Sequence, residues 1–276
     1  MGVAMTGFAA LVAPAQADHH EILIREVYPG TVAEPTEEFV EIQMYSGGQE
    51  NLHPAASIEI YDATGASTAE FSPGLDATFG DSQRTFLFGN DPLGVVSDFG
   101  YNTDEMDPAG GAVCFDSTTF GRLDCVAWGT ITSPPASAGT PEPGAIPDGS
   151  SLERSIARGC STLLEAGDDT DSSTVDFAEA EQPTPRANST VPTETACPNT
   201  RFTKTPKKRT AKRRATFGFT STPASNDFQC KLDNTPFRNC DSPFTKRVKR
   251  GKHSFKVKGA NESGAPASYS WKVVRR

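Results

Sequence analysis

"EILIREVYPG" (Glu21–Gly30) and "EFVEIQMYSGG" (Glu38–Gly48) decide the fold class. In the first, Ile22 and Ile24 fall on one face, between the polar residues Glu21 and Arg25, and Pro29-Gly30 ends the run; the second alternates Val40, Ile42 and Met44 with polar Glu41 and Gln43 and stops at Gly47-Gly48. A period of two marks a strand with one buried face, because successive side chains leave a pleated backbone on opposite sides. The pattern returns in "SIEIYDATG" (Ser57–Gly65, with a turn at Ala63–Gly65), "RTFLFGN" (Arg84–Asn90), "GAVCFD" (Gly111–Asp116) and "RLDCVAWG" (Arg122–Gly129). Each is bounded by Gly, Asn or Asp. Six or more short strands separated by turn chemistry predict an all-β sandwich or barrel. "GTITSPPASAGTPEPGAIPDG" (Gly129–Gly149) is Pro/Gly-rich and is expected to be an irregular surface loop.

The 276 residues include 24 Gly and 21 Pro and hold no long apolar stretch of helical period after the first residues. That length accommodates two domains at the usual size of roughly 100–200 residues each. Charge divides the chain the same way. Residues 1–196 carry six arginines, no lysine and 31 acidic residues, whereas residues 197–276 carry 20 basic residues and four acidic ones. The net charge of −9 therefore conceals halves of −25 and +16. A basic half attracts polyanions; the plainer alternatives are solubility, or pairing of the two halves.

The first residues, "MGVAMTGFAALVAPAQADHHE", hold an apolar run from Val3 to Ala13 and then Ala15-Gln16-Ala17. Small-x-small after an apolar run is the pattern of a secretory cleavage site, so residues 1–17 are expected to be a signal peptide, here without its positive leading region. No segment after residue 17 is apolar for long enough to span a bilayer. Six cysteines fit export, since disulfides persist in oxidising compartments. Fifteen pairings are possible. Locality favours Cys114 with Cys125 and Cys230 with Cys240, each pair flanking an expected hairpin, which leaves Cys160 with Cys197. Zinc is the competing use of cysteine, but no C-x-x-C occurs and the chain has four histidines.

Two segments raise a metal question. The acidic run "GDDTDSSTVDF" places Asp168, Asp169, Asp171 and Asp176 close together. As an EF-hand, Asp169, Asp171 and Ser173 would be positions 1, 3 and 5. Position 6 would then be Thr174 instead of Gly, and position 12 Ala180 instead of a bidentate Glu. The EF-hand reading fails. What remains is a weak calcium site of another kind, set against the favoured reading of a solvated domain edge. At the other segment, cleavage after Ala17 would leave Asp18-His19-His20 as the new terminus. A free amine, two amides and the imidazole of a third residue can wrap a square-planar Cu(II) or Ni(II). No cofactor is expected beyond these alternatives.

The basic half alternates clearly at Phe217/Phe219, Phe228/Cys230/Leu232, Phe255/Val257 and Trp271/Val273, with a hairpin turn expected at Asp233–Pro236. Cys230 and Cys240 are expected to face each other across that hairpin. Its cations come in two runs, "KKRTAKRR" (Lys207–Arg214) and "KRVKRGK" (Lys246–Lys252). On neighbouring strands, Lys207, Lys208, Arg209, Lys212, Arg213 and Arg214 would join Lys246, Arg247, Lys249, Arg250 and Lys252 in one stripe for phosphate-type anions. No aromatic interleaves the runs, so specific nucleic-acid binding is not expected. The plainer reading is a solvated sheet face, with lysine also guarding an edge strand against aggregation.

Signatures of catalysis are missing. "HHEIL" lacks the second His that a zinc protease needs at helical spacing, and no G-x-S-x-G, P-loop or dinucleotide fingerprint occurs. The acidic run gives no environment for a raised-pKa glycosidase carboxyl. His253 is expected to be a packed strand residue. The chain is not expected to be an enzyme.

Taken in order, "ILIREVYPG", "EFVEIQMYSGGQ", "AVCFD", "LDCVAWG", "SLERSIARGC", "DDTDSSTVDF" and "PTPRANS" resemble the lamin-tail domain in its secreted actinobacterial form, across about residues 20–190. Residues 214–274 resemble a repeat of exported actinobacterial proteins: F-x-C-x-L-D, P-F-x-x-C, S-P, G-x-H-x-F-x-V and a final P-A-S-Y-x-W-x-V. Its usual acidic D-x-x-G-N segment is replaced here by "GANESGAP" (Gly259–Pro266). The two resemblances imply immunoglobulin-like β-sandwiches in tandem without a catalytic site. They place a lamin-tail-like domain at 18–191, a linker at 192–206 and a basic domain at 207–276. The Asp-Thr-Asp segment becomes an edge turn, with Phe177 inserted into the sandwich. The expected protein is exported, capable of existing as a monomer, and associated with the cell surface or matrix. Its expected partners are envelope polyanions or other surface proteins.

Overall fold

The computed structural model describes residues 19–275 except 102–103, 157, 159, 161, 194–196, 198, 223–226 and 260–265. The expected signal peptide, Asp18 and most of Gly259–Pro266 lie outside the described residues, as does part of the expected linker. The chain is mostly β, in several sheets, with one short helix, α1 (Ser173–Asp176).

Ten strands precede residue 181: β1 (Ile22–Tyr28), β2 (Phe39–Met44), β3 (Ala56–Tyr61), β4 (Ser67–Phe71), β5 (Thr85–Gly89), β6 (Phe99–Gly100), β7 (Gly110–Ser117), β8 (Gly121–Gly129), β9 (Ser151–Arg154) and β10 (Phe177–Ala180). They form a six-stranded sheet in the order β10-β9-β1-β2-β5-β6 and a four-stranded sheet in the order β4-β3-β7-β8. Alternation decides which side chains meet. Ile22, Ile24, Val40, Ile42, Phe86 and Phe88 of the larger sheet share one core with Ile58, Ile60, Val113, Phe115, Val126 and Trp128 of the smaller. Burying each of these large side chains contributes about 1.5–3 kcal/mol. The expected strands are thus all present, within a residue or two of their sequence limits.

β1 and β2 are buried on both faces, which alternation alone does not predict. Residues 184–190 cross the outer face of the six-stranded sheet as a strap, with Ala187 packed against Tyr28, Phe39 and Leu87. Polar residues of that face hold the strap down. Glu26 accepts the amide of Thr184, Glu41 accepts the amide and guanidinium of Arg186, and Asp98 accepts the amide of Asn188 at 2.7 Å. Gly129–Gly149 is largely irregular, as expected, and its 136–138 turn covers the outer side of β7 and β8.

The remaining strands are β11 (Asn199–Lys204), β12 (Arg209–Thr210), β13 (Arg214–Thr222), β14 (Phe228–Leu232), β15 (Arg238–Cys240), β16 (Phe244–Arg247), β17 (Gly251–Gly259) and β18 (Ala267–Val273). A three-stranded sheet, β11-β13-β16, and a five-stranded sheet, β12-β18-β17-β14-β15, enclose a second core. Its centre is Phe217 stacked on Phe255 at 4.2 Å between ring centroids, with the edge of Trp271 at 5.1 Å from Phe217. The expected linker needs correction here. Residues 199–204 are a strand paired with β13, and Phe202 lies opposite Phe219. Only Thr200 and Phe202 of this polar edge strand turn inward, so it carries too little apolar signal to be read from sequence.

Cysteines pair as Cys114–Cys125, Cys160–Cys197 and Cys230–Cys240. Cys114 stands directly opposite Cys125 on β7 and β8. Cys230 and Cys240 do not stand opposite each other. Cys230 faces Arg238 and Cys240 faces Phe228, so the bridge runs diagonally. By loop length, each of the two short bridges stabilises by about 3 kcal/mol and the longer one by about 4. Three disulfides mark a chain that matures in an oxidising environment. No helix among the described residues is long and apolar enough to cross a membrane.

Candidate polyanion-binding site

The acidic run is not a solvated edge. Asp168 and Asp176 are buried, and the run wraps the guanidinium of Arg154, which is itself fully buried at the end of β9. Arg154 donates to Ile24 O at 2.7 Å, Asp168 O at 3.1 Å and Asp124 Oδ2 at 2.5 Å, and lies 4.5 Å over the Phe177 ring. Asp169 stands 3.5 Å from the same guanidinium. A buried cation requires such surroundings, since an isolated one is strongly disfavoured in a low-dielectric interior.

The carboxylate oxygens are already occupied. Asp168 accepts the amides of Arg158 and Glu165 at 3.1 and 2.9 Å. Asp176 accepts the Thr170 amide and hydroxyl, both at 2.7 Å, and the Arg158 guanidinium at 3.1 Å. Burial alone would raise the Asp176 pKa, but these hydrogen bonds hold the carboxyl below its usual range. Asp169 takes the amide of Asp171, whose own side chain is exposed. Calcium requires six to eight oxygens. Among the described residues no three His, Cys, Asp or Glu side chains are grouped to hold a metal. The acidic run, which the sequence reads as an edge turn or else a weak calcium site, forms an arginine clamp.

At the other expected metal segment, His19 is buried, with its ring nitrogens at Ser117 Oγ (2.8 Å) and Asn51 O (3.0 Å). The His20 ring lies 4.8 Å from that of Phe120, and the His20 amide donates to Gln49 Oε1 at 2.9 Å. That amide would have to lose its proton to bind Cu(II) or Ni(II). Its engagement with Gln49 opposes that use.

The two basic runs do meet. β13 and β16 pair antiparallel, which sets Arg214 opposite Arg247, Ala215 opposite Lys246 and Thr216 opposite Thr245. Arg213 closes the end of the pair by donating to Val248 O at 3.0 Å. The result is a shallow cleft lined by Lys212, Arg213, Arg214, Thr245, Lys246 and Arg247. A neighbouring groove continues it past Lys212 and Arg214 to Lys204 and Lys207. The other expected residues fall elsewhere. Lys208 and Lys252 lie across the core, beside the outer face of the five-stranded sheet, and Arg209 is opposite Lys272 there. Arg250 is an exposed turn residue, and Lys249 O accepts from the His253 ring at 2.9 Å. One expected stripe is thus two surfaces.

Ion pairing sharpens the contrast between the halves. All six arginines of the acidic half are salt-bridged: Arg25 to Glu153, Arg84 to Asp81, Arg122 to Glu59 and Asp116, Arg154 to Asp124, Arg158 to Asp176 and Arg186 to Glu41. Among the described residues of the basic half, the ion pair formed is His253 with Asp233, at 2.8 Å. Burial alone would lower the His253 pKa; the Asp233 hydrogen bond raises it overall. Among the described residues, no lysine or arginine of the cleft is ion-paired. Sequence reading missed Lys204, because it lay in the expected linker, and Lys231, Lys256, Lys258 and Lys272, because they are spaced singly along strands.

No family model matches the chain, and no curated protein is found similar to it. The fold and the cationic surface carry the functional argument.

Proposed function

We propose that this is an exported, non-enzymatic adhesion protein made of two immunoglobulin-like β-sandwich domains, the first of lamin-tail type, and that the basic domain contacts anionic polymers of the cell envelope. The second domain on this reading starts at Asn199, and the protein acts as a monomer. Arg214 opposite Arg247 is the observation that carries the reading. Like charges directly opposed across a strand pair destabilise it, so the arrangement does not serve the fold. Arg forks bind phosphate bidentately, which suits such a cleft to phosphate-bearing polymers. The ordered sequence likeness and the disulfides support export.

The full chain is tested on purified actinobacterial envelopes across a salt series. Saturable binding is expected, with a log–log salt slope that shrinks by roughly one for each arginine removed in R214S/R247S. Absence of binding at low salt, or binding indifferent to the two arginines, overturns the proposal.

A further inference from the structure

The outer face of the five-stranded sheet joins Arg209 and Lys252, from the two basic runs, to lysines spaced singly along its strands. Inward alternation of Phe228, Cys230, Phe255, Val257, Trp271 and Val273 turns Lys231, Lys252, Lys256, Lys258 and Lys272 outward. Register then sets Lys231 opposite Lys256, Lys252 opposite Lys272, and Arg209 opposite Lys272. Between them stand hydroxyls, with Ser254 opposite Ser270 and Ser268 opposite Lys256. Lys231 and Lys258 also approach the ring of Phe237, at 5.9 and 5.7 Å.

Protection of an edge strand does not account for this face. β17 is the central strand of its sheet, flanked by β18 and β14, and needs no lysine to block pairing. Nor does intramolecular neutralisation, since no described lysine of the face is ion-paired. Asp233, which borders the face, is engaged by His253 and by the Ser254 amide at 2.9 Å. Strands stand about 4.8 Å apart and rise about 3.3 Å per residue, so the cations from Lys252 to Lys258 cover about 20 Å along β17. That extent suits a linear polymer better than a single small anion.

We propose that this face is a second polyanion surface, for a linear phosphate-bearing polymer, and that with the Arg214/Arg247 cleft across the core it lets one molecule bridge two polymer strands. The bridging rests on the polyanion reading of the cleft given above; the face itself does not. Long-chain inorganic polyphosphate is the probe, because it carries charge without bases or sugars.

The full chain is titrated with polyphosphate at low salt, following light scattering for bridging and the anisotropy of a labelled short polyphosphate for binding. Exposed-face variants K256S/K272S and R214S/R247S, checked for unchanged melting, are run beside it. Bridging predicts a scattering maximum at intermediate ratio that collapses in both variants, while each retains binding severalfold weaker than the parent. Binding without scattering overturns bridging, and K256S/K272S that scatters and binds like the parent overturns the face, with the cleft untouched in either case. Loss of scattering and binding in K256S/K272S, with R214S/R247S unchanged, upholds the face and removes the cleft. Scattering without added polyphosphate overturns the choice of occupant in favour of the acidic half of a second copy. No binding of any kind at low salt overturns both readings.

Discussion

Arg154 shows how one residue organises a region that reads in sequence as a solvated domain edge. Its guanidinium joins β1, β8 and the acidic run, and Asp124 is its fully buried partner. Burial already pushes the Asp124 carboxyl up to about 6 against the pull of Arg154. Arg154→Met removes that pull, forces the buried carboxyl to take up a proton, and is expected to lower unfolding free energy by about 3–5 kcal/mol in urea denaturation. The double variant R154M/D124L removes both charges and is expected to recover much of that loss. Calcium up to millimolar concentration should leave the melting temperature unchanged, because the Asp168 and Asp176 oxygens already hold amide, hydroxyl and guanidinium donors. A calcium-dependent rise in melting temperature would restore the cation site. Both Arg154 and the aspartates are plain in the sequence. Their meeting is not, since Asp124 lies 30 residues from Arg154 and only the packing of β8 of the smaller sheet against β1 and β9 of the larger brings them together.

At the scale of elements, alternation made the strands legible and concealed what covers them. Glu41 and Gln43 read as solvent-facing in period two, yet both are buried, and Glu26, on the face of Ile22 and Ile24 by period, is turned to the outer face by a bulge after Ile24 and is buried there. Glu26 and Glu41 are covered by the strap at 184–190, a Pro-containing segment with no periodicity of its own, and Gln43 is hydrogen-bonded to Gln83. β11 escaped for the related reason that a polar edge strand with one inward aromatic resembles a linker. The strap makes a pH prediction. Burial pushes the Glu41 carboxyl up to about 7, against the pull of Arg186. A carboxyl raised in the folded state contributes stability that is fully present below its unfolded value of 4.5 and is lost as pH rises through about 7. Urea midpoints of the parent should therefore decline from pH 5 to pH 8 more steeply than those of Glu41→Gln. Parallel pH profiles for the two proteins would show that Glu41 does not titrate in this range.

The whole molecule is a charge dipole with an internal asymmetry that net charge hides. The acidic half uses every arginine as a clamp on its own carboxylates, whereas among the described residues of the basic half no lysine or arginine is ion-paired. The size of this split was legible from counting residues. Its division into a cleft and a sheet face was not, because cross-strand register is set by turns and core packing far from the charges. Cation-exchange chromatography of the full chain at pH 7.5 and low salt tests the central claim most directly. With a net charge of −9 the protein should flow through a sulfonate column if charge acts only in sum, or if the acidic half masks the basic one. Free cationic surfaces predict retention, and elution at lower salt for R214S/R247S than for the parent. Flow-through at low salt, or elution identical in the variant, would contradict the account.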